Sequence, residues 1–531
     1  MPVLTLILDG ECHELVFEPG RSLRDFLDAT HYRVRSACLG LGACGLCRIR
    51  LLAGDGGGIT AAERLQLGDG IAAGLRLACQ CRPMGDVTVE LMSPATPSAW
   101  RSPPPGLIAA AAPPPADRPL PAGIVHPLGV AVDLGTSHLT LAICDLATGR
   151  PLALRFGRNP QGRHGADVVT RLLAAEDPAV ARELAAEARA AIGAALADAA
   201  QREGLDTGRI GRVVVVGNTA MLALLADRNH GLLLQPAYWG EPIDCAPVGA
   251  AAWARDWGIA PGAEIEAVAP LAGFVGSDLL AGLAACGLTA GEAPALLVDF
   301  GTNSEIALWT GAVLWVTAAA GGPAFEAGAG RCGMPAEAGA VHRVVFDAAG
   351  RPHSSILGGD RAAGICGSGL VDLVAGLRWQ GVLTATGRFA DGRASYALPV
   401  DGQTLELGWR DVDALQRAKG AIGAGIAVLC AQAGIAIGDL RRVVAAGMFG
   451  RYLDVTNARG IGLLPDLPDG RIELAGNTAL AGAMALLSSG AARNAVSRVR
   501  AAARFVNLAR LPDFDAAFLE HLYLQPMAPE R

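Results

Sequence analysis

Val132-Asp133-Leu134-Gly135-Thr136-Ser137 and Val298-Asp299-Phe300-Gly301-Thr302-Asn303 decide the reading of this chain. Each closes a short apolar run, residues 129–133 in one case and 295–299 in the other. A run without polar alternation reads as a strand buried on both faces. Each run then turns on Asp-x-Gly-Thr. Glycine permits a tight turn whose backbone N–H groups face an anion. The threonine hydroxyl adds a donor, and the aspartate can hold a hydrated metal ion or orient water. One such tetrapeptide says little, but two, each after a buried strand, say much more.

A second pair repeats in the same order. Gly217-Asn218-Thr219-Ala220-Met221 follows the strand-like residues 212–216, and Gly476-Asn477-Thr478-Ala479-Leu480 lies near the C-terminus. The flanking sequences are not copies, so the repeat is architectural: two related halves facing each other across a cleft. A third strand, residues 442–446, runs into Gly447-Met448-Phe449-Gly450, a usual resting place for an adenosine. The helix before it starts near Asp411 and carries Val412, Leu415, Ile422, Ile426 and Leu429 on one face. Residues 178–203 read as an Ala-rich helix. Strands alternating with helices argue for α/β layers around buried sheets.

The N-terminal part has a different character. Two apolar runs flank Asp9-Gly10, a strong hairpin signal. Ser22-Leu23-Arg24-Asp25 resembles a capping box, and residues 87–91 close the segment as a strand. Between them lies Cys38-x5-Cys44-x2-Cys47, followed after 31 residues by Cys79 and then Cys81. An iron–sulfur cluster needs four converging thiolates, three from a flexible loop and one from a distant segment. Gly40, Gly42 and Gly45 lie within that loop, where they let backbone N–H groups approach the sulfurs. On spacing alone the fourth ligand is Cys79 or Cys81, and a zinc site or unrelated thiols are the competing readings. The other seven of the twelve cysteines are scattered through apolar or Gly-rich sequence and read as small buried hydrophobes.

Eleven prolines fall between Pro94 and Pro127, a composition that suits a semi-rigid spacer. The expected domains are therefore 1–92, a linker over 93–127, and 128–531. The net charge of −7 comes without a basic run, which argues against nucleic acid as a partner. No apolar stretch reaches the ~18 residues of a membrane span, and residues 1–15 lack the marks of a signal peptide. A cytoplasmic protein without a membrane partner is expected.

These motifs resemble known families. The cysteine loop is similar to that of vertebrate-type and bacterial 2Fe-2S ferredoxins, whose fourth ligand sits in Leu-x-Cys-Gln. Leu77-Ala78-Cys79-Gln80 matches, which implies Cys38, Cys44, Cys47 and Cys79 as cluster ligands and Cys81 as a neighbour. The duplicated module resembles the superfamily of acetate kinase, sugar kinases, heat-shock chaperones and actin. That resemblance implies ATP, with Mg2+, at phosphate loops containing Asp133, Gly135, Thr136, Ser137 and Asp299, Gly301, Thr302, Asn303. Asp133 and Asp299 take the catalytic places. It also implies an adenosine loop from Gly447 to Gly450 and connecting helices starting at the two Gly-Asn-Thr elements. Lys419 then reaches the ribose or adenine, or is a solvated surface lysine.

The expected fold class is thus α/β and multidomain: a β-grasp 2Fe-2S ferredoxin domain plus a duplicated actin-like, ribonuclease H-like ATPase domain. The pairing resembles the reductive activators of corrinoid proteins. Further similar segments are Asn159-Pro-Gln-Gly-Arg-His-Gly-Ala-Asp167, Phe274-Val-Gly-Ser-Asp278, Gly322-Pro-Ala-Phe-Glu326 and Gly364-Ile-Cys366-Gly-Ser-Gly369. The last opens a helix against phosphate or ribose, or is close helix–sheet packing. Activator ATPases that share a 4Fe-4S cluster across a dimer use two cysteines per subunit. No second cysteine matches Cys366 here, so it reads as structural.

The resemblance implies one-electron reduction of an inactive Co(II) corrinoid protein to Co(I) for a methyltransferase system, driven by ATP. An unidentified electron donor supplies the cluster, and a homodimer is compatible with the family. In that family a separate middle domain lies between linker and ATPase, and only the Pro-rich stretch fits between residues 92 and 129. A small-molecule kinase with a redox-sensing ferredoxin domain is the alternative. A nucleotide-gated binding module with a structural cluster is a third reading.

Overall fold

A computed structural model describes residues 2–17, 19–27, 30, 32, 34, 42–94, 100, 115–301, 303–319, 321, 332–336, 339–357, 362–400, 402–450 and 452–527. Cys38, Gly40, Thr302 and residues 322–326 lie outside the described residues. The chain divides into two compact units, Met1–Ala99 with Gln161–Arg171, and Trp100–Pro160 with Leu172–Arg531.

The first unit is a five-stranded sheet in the order β2-β1-β5-β3-β4. Its strands are β1 (Val3–Leu8), β2 (Glu11–Val16), β3 (Arg48–Gly54), β4 (Leu75–Leu77) and β5 (Val87–Leu91). Asp9 and Gly10 both take positive φ, 52° and 85°, the paired left-handed turn that closes a two-residue hairpin between β1 and β2. The second strand begins at Glu11, earlier than its apolar residues suggest, because the tight turn pairs Leu8 directly with Glu11. β1 runs parallel to β5 in the middle of the sheet. Leu4, Leu6, Ile49 and Val89 point into a core closed by Phe17 and by α1 (Leu23–Leu27). The Ser22 hydroxyl accepts from Asp25 N at 3.1 Å, one half of the expected capping box. α2 (Ala61–Leu67) has a complete box between Thr60 and Glu63.

The second unit holds two main sheets. The first has the order β10-β9-β6-β7-β8, from β6 (Leu128–Leu134), β7 (His138–Asp145), β8 (Pro151–Arg158), β9 (Ile210–Gly217) and β10 (Glu264–Ala267). The second has the order β20-β19-β11-β12-β13-β21. It contains β11 (Ala295–Asp299), β12 (Ser304–Trp309), β13 (Leu314–Ala319), β19 (Arg442–Ala446), β20 (Ile472–Gly476) and β21 (Ala503–Phe505). Each sheet is an antiparallel meander, β6-β7-β8 or β11-β12-β13, whose first strand pairs in parallel with a later one, β9 or β19. The duplication expected from the paired motifs is thus present in the topology. Small sheets of β14 (Ala340–Phe346), β15 (Pro352–Ile356) and β16 (Gly364–Ile365), and of β17 (Ser395–Val400) with β18 (Gln403–Gly408), elaborate the second half.

Helices cover the sheets. They are α3 (Val168–Ala174), α4 (Pro178–Glu203), α5 (Thr219–Ala226), α6 (Ala250–Asp256), α7 (Ser277–Ala285), α8 (Gly367–Trp379), α9 (Trp409–Ala433), α10 (Gly447–Gly450), α11 (Val455–Gly460), α12 (Thr478–Ser488), α13 (Gly490–Ala502) and α14 (Phe514–His521). α4 starts at the Asp177 cap and Pro178 and stops at left-handed Gly204, as its Ala-rich sequence expects. Val412, Leu415, Ile422, Ile426 and Leu429 of α9 are all fully buried. Among the described residues, no helix is long and apolar enough to cross a membrane.

α5 and α12 do start at the two Gly-Asn-Thr elements, with Asn218 and Asn477 as their caps. The helix packed along α12, however, is α7, which opens at Gly276-Ser277-Asp278. Small residues allow this close approach. A Cβ on Gly282 would lie 2.7 Å from Thr478 Oγ1, and one on Gly482 would overlap the Ala281 carbonyl. One core cluster runs through both helices and both sheets, from Ala131 and Val214 to Leu297 and Val444.

The described end of the Pro-rich stretch lies against this unit. Arg118 donates to Leu486 O at 3.0 Å and pairs with Glu264 at 2.9 Å, and Gly490 N donates to Asp117 at 2.6 Å. Gly482→Ala is expected to destabilise the second unit by about 1–3 kcal/mol, because the new methyl meets backbone that cannot move aside. Gly231→Ala, which meets open space, is the control. Thermal unfolding checks the difference.

Candidate functional site

In the first unit, backbone bonds bring distant cysteines together. Ala78 N donates to Cys47 O at 2.7 Å, so the segment after β4 folds over the end of the cysteine loop. Gln80 N and Cys81 N both donate to Leu77 O, forming a tight turn. The result sets the thiols of Cys47 and Cys79 in mutual hydrogen-bonding contact, with Cys44 close enough to act electrostatically on Cys47. The neighbouring Cys79 thiol and burial push the Cys47 thiol well above its ordinary value. Three of the four sequence-predicted ligands therefore converge, and Cys38 lies outside the described residues.

Cys81 points elsewhere. Its Sγ and the Arg76 guanidinium occupy the space that a side chain on Gly56 would need. Burial, opposed by Arg76, holds the Cys81 thiol up at about 11. Arg76 is itself locked by Glu63, with Nε donating at 2.7 Å and a second nitrogen at 3.2 Å. Glu63 is fully buried and also accepts from Leu77 N at 3.2 Å, so it ties α2 to the turn that carries Cys79. Sequence reasoning missed this ion pair. Its signal was a capping-box glutamate in an otherwise amphipathic helix. Among the scattered cysteines, Cys144, Cys245, Cys332, Cys366 and Cys430 are buried as expected, Cys286 is half-buried, and Cys12 is exposed on β2.

In the second unit, a cleft opens between the two sheets. Asp133, Gly135 and Thr136 line one wall, and Asp299, Gly301 and Asn303 line the other, with Gly447 between. The turn after β6 is tight: Gly135 N donates to His138 O at 2.9 Å, and a Cβ there would collide with that carbonyl. Asn159 clasps the same turn, with Nδ2 donating to Gly135 O and backbone N to Ser137 O, both at 2.9 Å. This gives the first residue of the Asn159–Asp167 segment a physical task. Asn218 Nδ2 donates to Thr136 Oγ1 at 3.0 Å, and Asn477 Nδ2 donates to Asp133 at 2.6 Å. The second bond crosses between the halves. Gly447 has φ +88°, and a Cβ there would sit 2.5 Å from Phe300 O, so the loop abuts the second Asp-x-Gly-Thr turn.

Not every expected residue reaches the cleft. Ser137 and Gly450 are absent from its lining, and Gly450 packs on Ala445 of β19. Gly447–Gly450 forms a helical turn rather than an open loop. Lys419 is neither solvated nor at the cleft. It is buried, its Nζ donates to the carbonyls of Tyr523, at 2.8 Å, and His521, and burial lowers it to about 7. The periodicity of α9 could not reveal that α14 covers this face.

The Gly364–Gly369 segment is close packing. A Cβ on Gly369 would strike Val341 O, one on Gly364 would lie 2.7 Å from Cys332 O, and Cys366 is buried beside Met334 and Ala340. Two acidic residues in the cleft were not singled out by sequence as site residues. Asp278, at the start of α7, is pushed up to about 6 by burial. Glu305 of β12 is buried at the cleft and pairs in register with Asp299.

Comparison with known proteins agrees with this architecture. Residues 6–84 match the 2Fe-2S iron-sulfur cluster binding domain, residues 128–291 the RACo middle region, and residues 293–530 the C-terminal domain of RACo, the ASKHA domain. The sequence leaves no room for a middle domain between linker and ATPase; the match over residues 128–291 corrects this expectation and places the middle region in the first half of the duplicated module. The chain is 29% identical over 415 residues to the corrinoid activation enzyme RamQ of Eubacterium limosum, covering 74% of this chain and 69% of that one. It is 27% identical over 388 residues to the Co(II) methylated amine-specific corrinoid protein reductase of Methanosarcina barkeri, covering 66% and 68%. A solved structure titled reductive activator for corrinoid, iron-sulfur protein shares the fold, with a TM-score of 0.67, 23% identity and 99% of each chain covered.

Asn477 caps α12 by accepting from Leu480 N at 2.7 Å while it donates to Asp133. Asn477→Ala loses both bonds and is expected to lower stability by about 1–2 kcal/mol. Asn477→Asp keeps the cap but sets a carboxylate against Asp133, so its loss should grow as pH rises above the carboxylate range. Unfolding midpoints at two pH values check this.

Proposed function

We propose, because this chain belongs to the RACo family, that it activates a corrinoid protein by ATP-dependent one-electron reduction of Co(II) to Co(I). One observation carries the reading: a single chain joins converging thiols in one unit to a polar, duplicated, Asp-lined cleft in another. Neither half alone needs the other for its simplest task, carrying electrons or binding nucleotide.

In this reading Cys38, Cys44, Cys47 and Cys79 hold a 2Fe-2S cluster, which when bound supplies the electron. The buried Glu63–Arg76 pair keeps the Cys79 turn in place. In the cleft, Thr136 and Gly301 would face the phosphates of ATP with backbone N–H groups, while the Gly135 N–H holds its own turn closed on His138 O. Asp133, fixed by Asn477, and Asp299 hold a hydrated Mg2+ and orient water. Gly447, which lines the cleft, borders the adenosine. Lys419 and Gly450 act structurally.

The coupling has a thermodynamic reason. Plant-type clusters sit near about −400 mV. For one electron, each ~59 mV uphill costs a factor of ten in equilibrium. Nucleotide can offset that only if it favours one state of the complex with the corrinoid protein over another. The electron donor and the methyltransferase served are left to experiment.

The test mixes the full-length protein with its cluster, a Co(II) corrinoid protein and a low-potential reductant, and follows Co(I) by absorption. ATP with Mg2+ is expected to raise the Co(I) yield at least about tenfold, and Asp133→Asn to remove most of that gain. Equal yields with and without ATP would refute the reading. Separately, Cys79→Ser should abolish the visible absorption of the cluster, whereas Cys81→Ser should retain it. The reverse result would mean that the fourth ligand is Cys81.

A further inference from the structure

The turn that carries Cys79 also carries Gln80, a residue the proposed function does not use. The Gln80 Nε2 lies 3.5 Å from Cys79 Sγ, a donor aimed at sulfur. The same amide faces Gly42 in the cysteine loop. A Cβ on Gly42 would lie 3.2 Å from both Cδ and Nε2 of Gln80, and 2.7 Å from the Ala62 Cβ. Gly42 has φ +75°, so the loop passes here in a conformation that favours glycine and leaves no room for a side chain. The Gln80 amide therefore fills the gap between the loop bearing Cys44 and Cys47 and the turn bearing Cys79.

A second glutamine touches the backbone of the same loop. Gln66 on α2 donates to Ala43 O at 2.6 Å, and its side chain lies over Gly45, 3.0 Å from the place of a Cβ. The two amides are thus a natural comparison. One holds the loop through a carbonyl, and the other reaches a ligand sulfur.

We infer that Gln80 tunes the reduction potential of the cluster by donating its amide N–H to the sulfur of Cys79. The inference rests on the proposed cluster site. Reduction adds an electron to a group already negative, and part of that charge resides on the ligand sulfurs. A donor at sulfur stabilises the reduced state more than the oxidised one, so it raises the potential. Gln80 is a positioning and tuning residue and is not itself a ligand.

The test measures the midpoint potential of the full-length protein with its cluster, by spectroelectrochemical titration, in wild type and three variants. Gln80→Met keeps the side-chain length without a donor. Its cluster should be about tenfold harder to reduce, a shift of ~59 mV to more negative potential for one electron. Gln80→Lys puts a cationic donor in the same place and should shift the potential the other way. Gln66→Met should release its cluster faster on dilution yet keep the wild-type potential.

A merely structural role for Gln80 would move cluster retention in both Gln80 variants and leave their potentials alike, which would overturn the inference. Equal shifts in Gln80→Met and Gln66→Met would overturn it too. If wild type binds no 2Fe-2S cluster, the proposed function fails together with the inference. A cluster-loaded wild type with unmoved variants defeats the inference alone.

Discussion

The second unit depends on one steric constraint, the meeting of α7 and α12 at glycine. The two sheets share one core through this helix pair, and at its crossing backbone lies almost on backbone. With Gly482 against Ala281 and Gly282 against Thr478, the two helix starts come to the floor of the cleft together. That places Asn477, from the last sheet, within 2.6 Å of Asp133, from the first. The bond joining the halves is a consequence of the packing beneath it. Enlarging either glycine would separate the walls before it disturbed any residue that lines them.

The first unit uses a different device for the same end. A buried carboxylate, Glu63, satisfies a capped helix start, an arginine and a backbone N–H at once. A buried charge is tolerable only when its partners are complete. Here they are, and the arrangement fixes the turn after β4. The turn in turn sets two cysteines, one residue apart, toward different neighbours: Cys79 faces Cys47 of the cysteine loop, and Cys81 faces the arginine. The turn closed on Leu77 O rotates the chain between the two, so this Cys-x-Cys pair offers one thiol to the loop and one that finds other company.

The parts of this fold legible in the sequence were those whose signal is local. Buried strands announce themselves as continuous apolar runs, and residues 212–216 and 295–299 did so. The Asp9-Gly10 hairpin followed from turn chemistry, and α4 from its Ala-rich run. The duplication was readable because two unrelated tetrapeptides recurred in the same order. What failed was non-local. The partner of α12 could not be found by looking for another Gly-Asn-Thr, because helix packing asks for small residues at a crossing. Lys419 looked free on a helical face because its cover, the carbonyls at Tyr523 and His521, lies over a hundred residues away. Glu305 looked like an ordinary acidic residue near the start of a strand, and Asp278, although it ends a family-like segment, carried no role. Only the register across β11 and β12 and the start of α7 bring them to the cleft.

That register has a last implication. Along the first hairpin, Asp133 stands opposite Thr140; along the second, Asp299 stands opposite Glu305. The two walls share a frame but differ in charge, a hydroxyl on one side and a carboxylate on the other. If two related walls carried the same groups, an elongated ligand would meet the same contacts in either direction. Replacing one of two equivalent positions with an acid gives the cleft a head and a tail. A molecule with its negative charge gathered at one end then meets unequal walls, and its two orientations no longer cost the same.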